Sequence, residues 1–321
     1  MNIDWNDPTE LHVIVGAGAT GSATAELLAE QGAKVRIITR SGSGPAHPAI
    51  ERVAADATDV ERLTELTVGA AALYNCANPP YHRWATDWPP LASSLLRAAE
   101  RTGAVLVTLS NLYGYAPDGP MHPGQPLNPP SEKGAIRAGM WHDARAEHEA
   151  GRVRVTEARA SDFIGAGLGD TSHFGDRLLN RILAGKSVQV FGATDVEHSW
   201  TAVSDVARTL VTLARDERAW GRAWHVPTAP ARTQREMVER LCDAAGTKRV
   251  KVSVLPMPLI KLLGIFIKPL GEMPSVAYQF TEPFVVDASE TTEVFGLEAT
   301  PLAETIDAMV GGDRVKAAVS G

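Results

Sequence analysis

Residues Leu11 to Arg40, LHVIVGAGATGSATAELLAEQGAKVRIITR, constrain what this chain can fold into more than any other stretch. His12 to Val15 reads as a buried strand and runs straight into Gly16-Ala17-Gly18-Ala19-Thr20-Gly21, a fit to G-x-G-x-x-G. An alanine-rich helix is expected from about Ser22 to Gln31, Gly32 ends it, and Val35 to Thr39 reads as a second strand. Strand, glycine turn, helix and strand make a βαβ unit. In such a unit Gly16 allows the bend, Gly18 lets the backbone approach a pyrophosphate, and Gly21 brings the helix close to its strand. The helix start then offers unpaired N–H groups to phosphate, so Gly16, Gly18, Ala19, Thr20 and Gly21 are the expected contacts of a dinucleotide.

The tip of the second strand decides which dinucleotide fits. An acidic residue there would accept a hydrogen bond from a ribose 2′-OH, but the chain has Arg40-Ser41. Arginine suits a 2′-phosphate, so NADP is expected in preference to NAD.

Farther along, strands are expected at Ile50 to Ala54, Ala71 to Cys76, Ala104 to Leu109 and Val153 to Ala158, alternating with helices at Asp59 to Leu66, Pro90 to Arg101 and Lys133 to Ala150. That alternation predicts an α/β fold, a Rossmann-type doubly wound parallel sheet with a smaller C-terminal substrate-binding lobe. The expected division is residues 1–160 for dinucleotide binding and 161–321 for substrate, with about 187–225 returning to the sheet. In the second half, helices are expected at Phe174 to Ala184, Ser204 to Arg215, Thr233 to Ala245 and Leu302 to Met309, and short strands at Ser187 to Phe191 and Arg249 to Val254. Tyr113 to Glu132 is rich in proline and glycine and reads as a binding loop.

Composition narrows the partners. A chain of 321 residues, 44% apolar and with formal net charge -7, is an ordinary globular protein without a nucleic-acid footprint, so a small-molecule substrate is expected. Cys76 and Cys242 form no C-x-x-C pair, and the nine histidines show no helical metal spacing; no metal site is expected, and the compartment reads as cytoplasmic. The acidic, polar start MNIDWNDPTE does not read as a secretory signal. Leu259 to Leu270 is apolar but too short to span a bilayer; it is expected to be a core-facing or pocket-covering helix, with no membrane partner.

Several further segments together resemble the extended short-chain dehydrogenase/reductases, the NAD(P)-dependent epimerase/dehydratase family, over about Leu11 to Asp307. They are VAADATD around Asp56, Asn75-Cys76-Ala77, SNLYG from Ser110 to Gly114, RASDFIG from Arg159 to Gly165, HSWTAVSDV from His198 to Val206, and Phe284 to Asp287 with Ser289. The resemblance implies that Asp56, with Ala57, contacts the adenine, that Asn75, Cys76 and Ala77 lie along the cofactor, and that Ala160 and Ser161 adjoin it. It also implies that dimerisation through paired helices is common. Where the family has Y-x-x-x-K, however, this chain has Lys133-Gly134-Ala135-Ile136-Arg137, so the acid/base tyrosine is a lysine and its lysine an arginine.

Spacing of four puts Lys133 and Arg137 on one helix face. Arg137 is expected to reach the nicotinamide ribose, and the nearby cation to disfavour charge on Lys133, which would let it donate a proton or stabilise an oxyanion. The competing reading is two solvated cations, or cations pairing with cofactor phosphate. Ser110 is the candidate to hydrogen-bond the substrate oxygen and Tyr113 to supply the missing phenol, against turn-capping and packing roles. His142 reads as helix surface. Asn78, Tyr81 and Trp84, with His173, Phe174, Trp200, Tyr278 and Glu282, are expected to line a partly apolar pocket, and Arg177 and Arg181 are the cations available to clamp a sugar nucleotide. The chemistry expected is NADP-dependent reduction of a small, partly apolar carbonyl or alkene compound. The alternatives are a redox-neutral epimerase, isomerase or cyclase with bound nucleotide, and a non-catalytic NADP-sensing regulator.

Overall fold

The computed structural model describes residues 10–116, 118–169 and 172–319, with backbone alone at 269–270 and 313–319. The leading segment whose composition argues against a secretory signal lies outside the described residues except for Glu10. In chain order the elements are β1 (Leu11–Val15), α1 (Ala19–Glu30), β2 (Lys34–Thr39), β3 (Ile50–Ala54), α2 (Val60–Thr67), β4 (Ala70–Asn75), α3 (Trp84–Thr102), β5 (Val105–Ser110), α4 (Glu132–Glu149), β6 (Val155–Arg159), β7 (Asp162–Ile164), α5 (Asp176–Leu183), β8 (Val188–Val190), β9 (Glu197–His198), β10 (Trp200–Ala202), α6 (Val203–Arg215), β11 (Ala223–His225), β12 (Arg232–Thr233), α7 (Gln234–Ala245), β13 (Val252–Val254), α8 (Met257–Gly264), α9 (Lys268–Glu272), α10 (Tyr278–Thr281), α11 (Ser289–Phe295) and α12 (Leu302–Val319).

Two compact units emerge. The first holds the residues up to Gly114, Leu127–Ala160 and Val206–Val226; the second holds Tyr115–Pro126, Ser161–Asp205 and the chain from Pro227 onward. The segment that rejoins the first unit therefore begins at Val206, later than the residue 187 expected, because β8 pairs with β13 instead of the main sheet.

The first unit is built on a seven-stranded sheet of order β11-β6-β5-β4-β1-β2-β3, parallel throughout. Strand order reverses between β1 and β4, and ligands of open α/β sheets bind outside the carboxyl ends of the strands at that point. Val13, Ile14, Leu73 and Val107 are wholly enclosed, as befits strands covered on both faces. Helix boundaries follow local chemistry. Asp59 caps α2 by accepting from Arg62 N at 3.1 Å, and Thr233 with Glu236 forms a capping box at α7.

Helix α3 differs most from its expected start at Pro90, beginning at Trp84 with Pro89 and Pro90 inside it. Proline lacks the N–H that would reach four residues back, but those carbonyls belong to Ala85 and Thr86, which are exposed and can bond water. Trp84 and Trp88, four apart, are fully buried, and that burial outweighs the lost ladder bonds.

The second unit has three short strand pairs, β10 with β7 and β13 with β8 parallel, β12 with β9 antiparallel. Its core brings Phe174, Leu179, Ile182, Trp200, Met237 and Leu241 together. The apolar stretch at 259–270 departs from its expected core-facing or pocket-covering role. Helix α8 buries Ile260 alone among its residues, while Leu262, Ile265 and Phe266 face water. No helix of the described residues is long and apolar enough to cross a membrane.

Buried His12 on β1 meets the Tyr74 hydroxyl at 3.0 Å, and burial, helped by the charge of Arg215, pushes its pKa down from 6.5 to about 3. Unfolded chain thus binds a proton that folded chain refuses, so stability from this group is present above pH 6.5 and is lost as pH falls toward 3. In His12→Gln the fall of unfolding free energy between pH 6.5 and 3 is expected to be shallower, by up to about 1.4 kcal/mol per pH unit, as read by urea unfolding at a series of pH values. An unchanged slope would remove His12 as a source of acid sensitivity.

Candidate functional site

The glycine turn sits at the carboxyl end of β1. Gly16 has φ +102°, and a Cβ there would lie 2.7 Å from the Cys76 carbonyl oxygen of the β4 end. At Gly21 a Cβ would fall 2.1 Å from the Gly16 carbonyl oxygen, so α1 can lie this close only without a side chain. Gly18 is the opposite case: a Cβ would meet no protein atom within 4 Å, which leaves its backbone open to a ligand. It is also the N-cap of α1, offers no side-chain cap, and is followed by no acidic residue in the first turn. Open backbone at an uncapped helix start fits a pyrophosphate.

Around this turn the expected cofactor residues take different positions. Arg40 and Ser41 are exposed beyond β2, and Ser41 donates to Ser43 Oγ at 3.0 Å. Asp56 is exposed; its Oδ1 accepts from Thr58 N at 2.9 Å and Thr58 Oγ1 at 2.8 Å, and these bonds, with the nearby Arg40 charge, hold the carboxyl below its usual range. Ala57 and Ala77 are half-buried, whereas Asn75 and Cys76 are enclosed. Asn75 Oδ1 accepts from Ala77 N at 3.3 Å, and burial pushes the Cys76 thiol up to about 12, which makes it inert. Ala160 is buried and donates its N–H to the Ser110 carbonyl at 3.1 Å. Ser161 is engaged in the second unit, where its N–H donates to Thr201 Oγ1 at 3.2 Å and its hydroxyl meets His198 Nε2 at 3.3 Å.

Four expected catalytic residues gather in the first unit. Ser131 caps α4 by accepting from Gly134 N at 3.2 Å, which fixes where Lys133 and Arg137 point. Ser110, Tyr113, Lys133 and Arg137 are all buried, so the reading of two solvated cations does not hold. Lys133 Nζ lies 5.6 Å from the centre of the Tyr81 ring. Arg137 packs against Trp88 at 4.6 Å and Trp84 at 5.8 Å, and donates Nη2 to the Leu109 carbonyl at 2.6 Å. Burial pushes its pKa down to about 10, with Glu157 and the phenols of Tyr81 and Tyr113 opposing the shift.

Arg137 requires a correction. Its Nε and Nη1 are enclosed and have no hydrogen-bond partner among the described residues, so the side chain as placed does not present these donors to a nicotinamide ribose. It instead pins the Leu109 carbonyl beside Ser110. Behind it, Glu157 and Arg159 form a buried pair at 2.6 Å, with Arg159 5.6 Å from the Trp141 ring. This second charged layer lies on β6, whose five residues are all buried, so no change of polarity along the strand marks it in the sequence.

Tyr81 also holds a different place from the pocket wall expected. Its hydroxyl is 2.6 Å from the Tyr113 hydroxyl, and Trp84 stacks on Tyr113 at 6.1 Å. A half-buried phenol, Tyr81, is therefore joined to a buried one, Tyr113, beside Lys133 and Arg137. Nothing in the linear spacing of residues 81 and 113 signals this.

The other expected pocket residues divide between the units. Asn78 is exposed in the first unit, and Trp84 belongs to its core. In the second unit Phe174 and Trp200 are core residues and not an open wall, Tyr278 is half-buried near Phe284, and Glu282 is exposed. His173 is half-buried and stacks on Phe280 at 4.8 Å; His198 stacks on the same ring at 4.8 Å. His173 Nε2 meets Gln234 Oε1, and Gln234 donates its amide to the Phe191 and Ala193 carbonyls at 2.7 Å each, so the imidazole is the donor to Oε1. Burial pushes His173 down to about 4. His198 Nε2 lies 2.9 Å from Asp162 Oδ2; burial raises that carboxyl, but the His198 hydrogen bond and charge outweigh it and leave it below its usual range. Asp162 and His198 lie 36 residues apart and meet only because β7 pairs with β10, a relation their spacing does not show.

A model of the NAD dependent epimerase/dehydratase family matches residues 12–227, and the chain belongs to that family. Among curated proteins, a dTDP-glucose 4,6-dehydratase from Actinoplanes sp. is 28% identical over 151 residues; the match covers 46% of this chain and 45% of that protein, less than half the relative's length. Among solved structures, an epimerase from Methanothermobacter thermautotrophicus superposes with a TM-score of 0.80 at 15% identity, covering 97% of this chain and 94% of that one. A UDP-glucose 4-epimerase from Thermotoga maritima, solved with UDP-glucose, gives 0.78 at 16% identity, covering 96% and 99%. Identities this low show the shared fold. The family is one of nicotinamide-dependent enzymes.

Helix α4 reaches the phenol pair only because Gly134 has no side chain: a Cβ would lie 2.0 Å from the Tyr113 carbonyl oxygen and 2.7 Å from Pro129 Cβ. Gly134→Ala is expected to cost about 1–3 kcal/mol of unfolding free energy through overpacking. Gly139→Ala, five residues further along α4, where a Cβ meets nothing within 4 Å, should gain about 0.5–1 kcal/mol. Chemical denaturation of both variants checks the pair; equal effects would contradict the close contact of α4 with Tyr113.

Proposed function

We propose that the chain is an NADP-dependent oxidoreductase that reduces a small, partly apolar carbonyl or alkene compound, with the Tyr81–Tyr113 phenol pair replacing the tyrosine that became Lys133. The observation that carries this reading is the 2.6 Å hydrogen bond between the two hydroxyls beside two cations. The nicotinamide, when bound, supplies hydride to the electrophilic carbon. The protein then has to deliver one proton to the oxygen or carbon that gains the electron pair. Half-buried Tyr81 donates it, and Tyr113 returns a proton through the shared hydrogen bond. Lys133 and Arg137 stabilise the phenolate that results, and the Ser110 hydroxyl binds the developing oxyanion.

Residues for the nucleotide fit the same reading. Gly16, Gly18, Ala19, Thr20 and Gly21 would hold the pyrophosphate, Arg40 and Ser41 the 2′-phosphate, and Asp56 with Ala57 the adenine. The preference for a partly apolar substrate draws support from Arg181, one of two cations that could have clamped a sugar nucleotide, which spends Nε and Nη2 on the Ser187 carbonyl.

A redox-neutral epimerase or dehydratase reaction, in which the nucleotide is reduced and reoxidised within one cycle, is the second reading; the likeness to a dTDP-glucose 4,6-dehydratase favours it. A panel of aldehydes, ketones and enones assayed for NADPH consumption distinguishes the two. Tyr81→Phe and Tyr113→Phe are each expected to lower kcat by about 100-fold or more while NADPH affinity stays within about twofold. Turnover without net NADPH consumption favours the second reading, and full activity in both phenylalanine variants removes the phenol pair from the mechanism.

A further inference from the structure

The segment from Val254 to Lys268 in the second unit presents an apolar surface that its own fold leaves uncovered. Leu259, Leu262, Ile265, Phe266 and Ile267 are 40%, 57%, 73%, 81% and 46% exposed. Exposure peaks at Ile265 and Phe266, in the three-residue connection between α8 and α9, here called the α8–α9 tip. A soluble surface scatters such residues singly; five within nine positions mark an interaction site.

Charge selects the occupant. From Ala244 to Gly271 the sequence has no acidic residue but carries Lys248, Arg249, Lys251, Lys261 and Lys268, in a chain whose net charge is -7. Arg249 is paired with Glu239 and Asp243, while the four lysines are exposed. An apolar tip flanked by lysines whose stems can snorkel is the arrangement of an interfacial membrane anchor.

We infer that the α8–α9 tip docks on an anionic lipid bilayer, with Leu262, Ile265 and Phe266 entering the boundary of headgroups and acyl chains, and Lys261 and Lys268 meeting lipid phosphates. This replaces the expectation of no membrane partner and is independent of the reaction the first unit runs.

Flotation of the full chain with vesicles of phosphatidylglycerol and phosphatidylcholine, against phosphatidylcholine alone, tests it, alongside sedimentation velocity without lipid. Binding to the anionic vesicles is expected to exceed binding to the neutral ones at least tenfold and to fall with added salt. Ile265→Asp with Phe266→Asp should lose at least tenfold of that binding with an unchanged circular dichroism spectrum. Lys261→Glu with Lys268→Glu, which leaves the apolar tip intact, should lose the preference for anionic lipid. Absence of flotation by the unaltered chain overturns the proposal, as does equal flotation by the aspartate variant. A fall from dimer to monomer mass in the aspartate variant also overturns it, because the tip would then be an interface between copies of this chain.

Discussion

The first unit depends on one close approach, the Gly21 position of α1 against the carbonyl of Gly16, where a single added carbon would stand 2.1 Å from oxygen. Because α1 lies so near, its uncapped start opens at the strand-order reversal between β1 and β4. Gly16 in turn lies against the Cys76 carbonyl, so turn, helix and two central strands share one contact. A Cβ at Gly16 or Gly21 would push these apart together. The open, uncapped start of α1 is therefore a consequence of packing.

A second contact of the same kind positions α4. Gly134 lets α4 press on the Tyr113 carbonyl, and the helix brings Lys133 over Tyr81 and Arg137 under Leu109. Two phenols far apart in the sequence, Tyr81 and Tyr113, meet beside that helix. Arg137 is held by two tryptophan rings and by the field of Glu157, so its charge acts at a distance while its donors stay enclosed.

Much of this was legible in the sequence because the signals were local. The strands β1 to β6 lie within two residues of their expected bounds, since most are short, largely apolar runs between turn residues. Helix α3 began six residues early because Trp84 and Trp88 bury together, a tertiary gain no proline rule contains. The tyrosine pair and the Asp162–His198 contact were hidden because each joins residues whose relation is set by sheet order or loop path, whereas Glu157 and Arg159, two apart on one strand, share a face by spacing and went unmarked because every residue of β6 is buried. Leu259 to Leu270 was misread in the other direction, because hydrophobicity alone does not tell a buried helix from an apolar surface.

Calorimetric titration of the folded chain with NADPH and with NADH tests the central claim that the glycine turn at the end of β1 grips a nicotinamide dinucleotide. The account predicts saturable heat at one site per chain, with NADPH bound more tightly than NADH. Absence of heat with both nucleotides, from protein whose circular dichroism shows it folded, would contradict it.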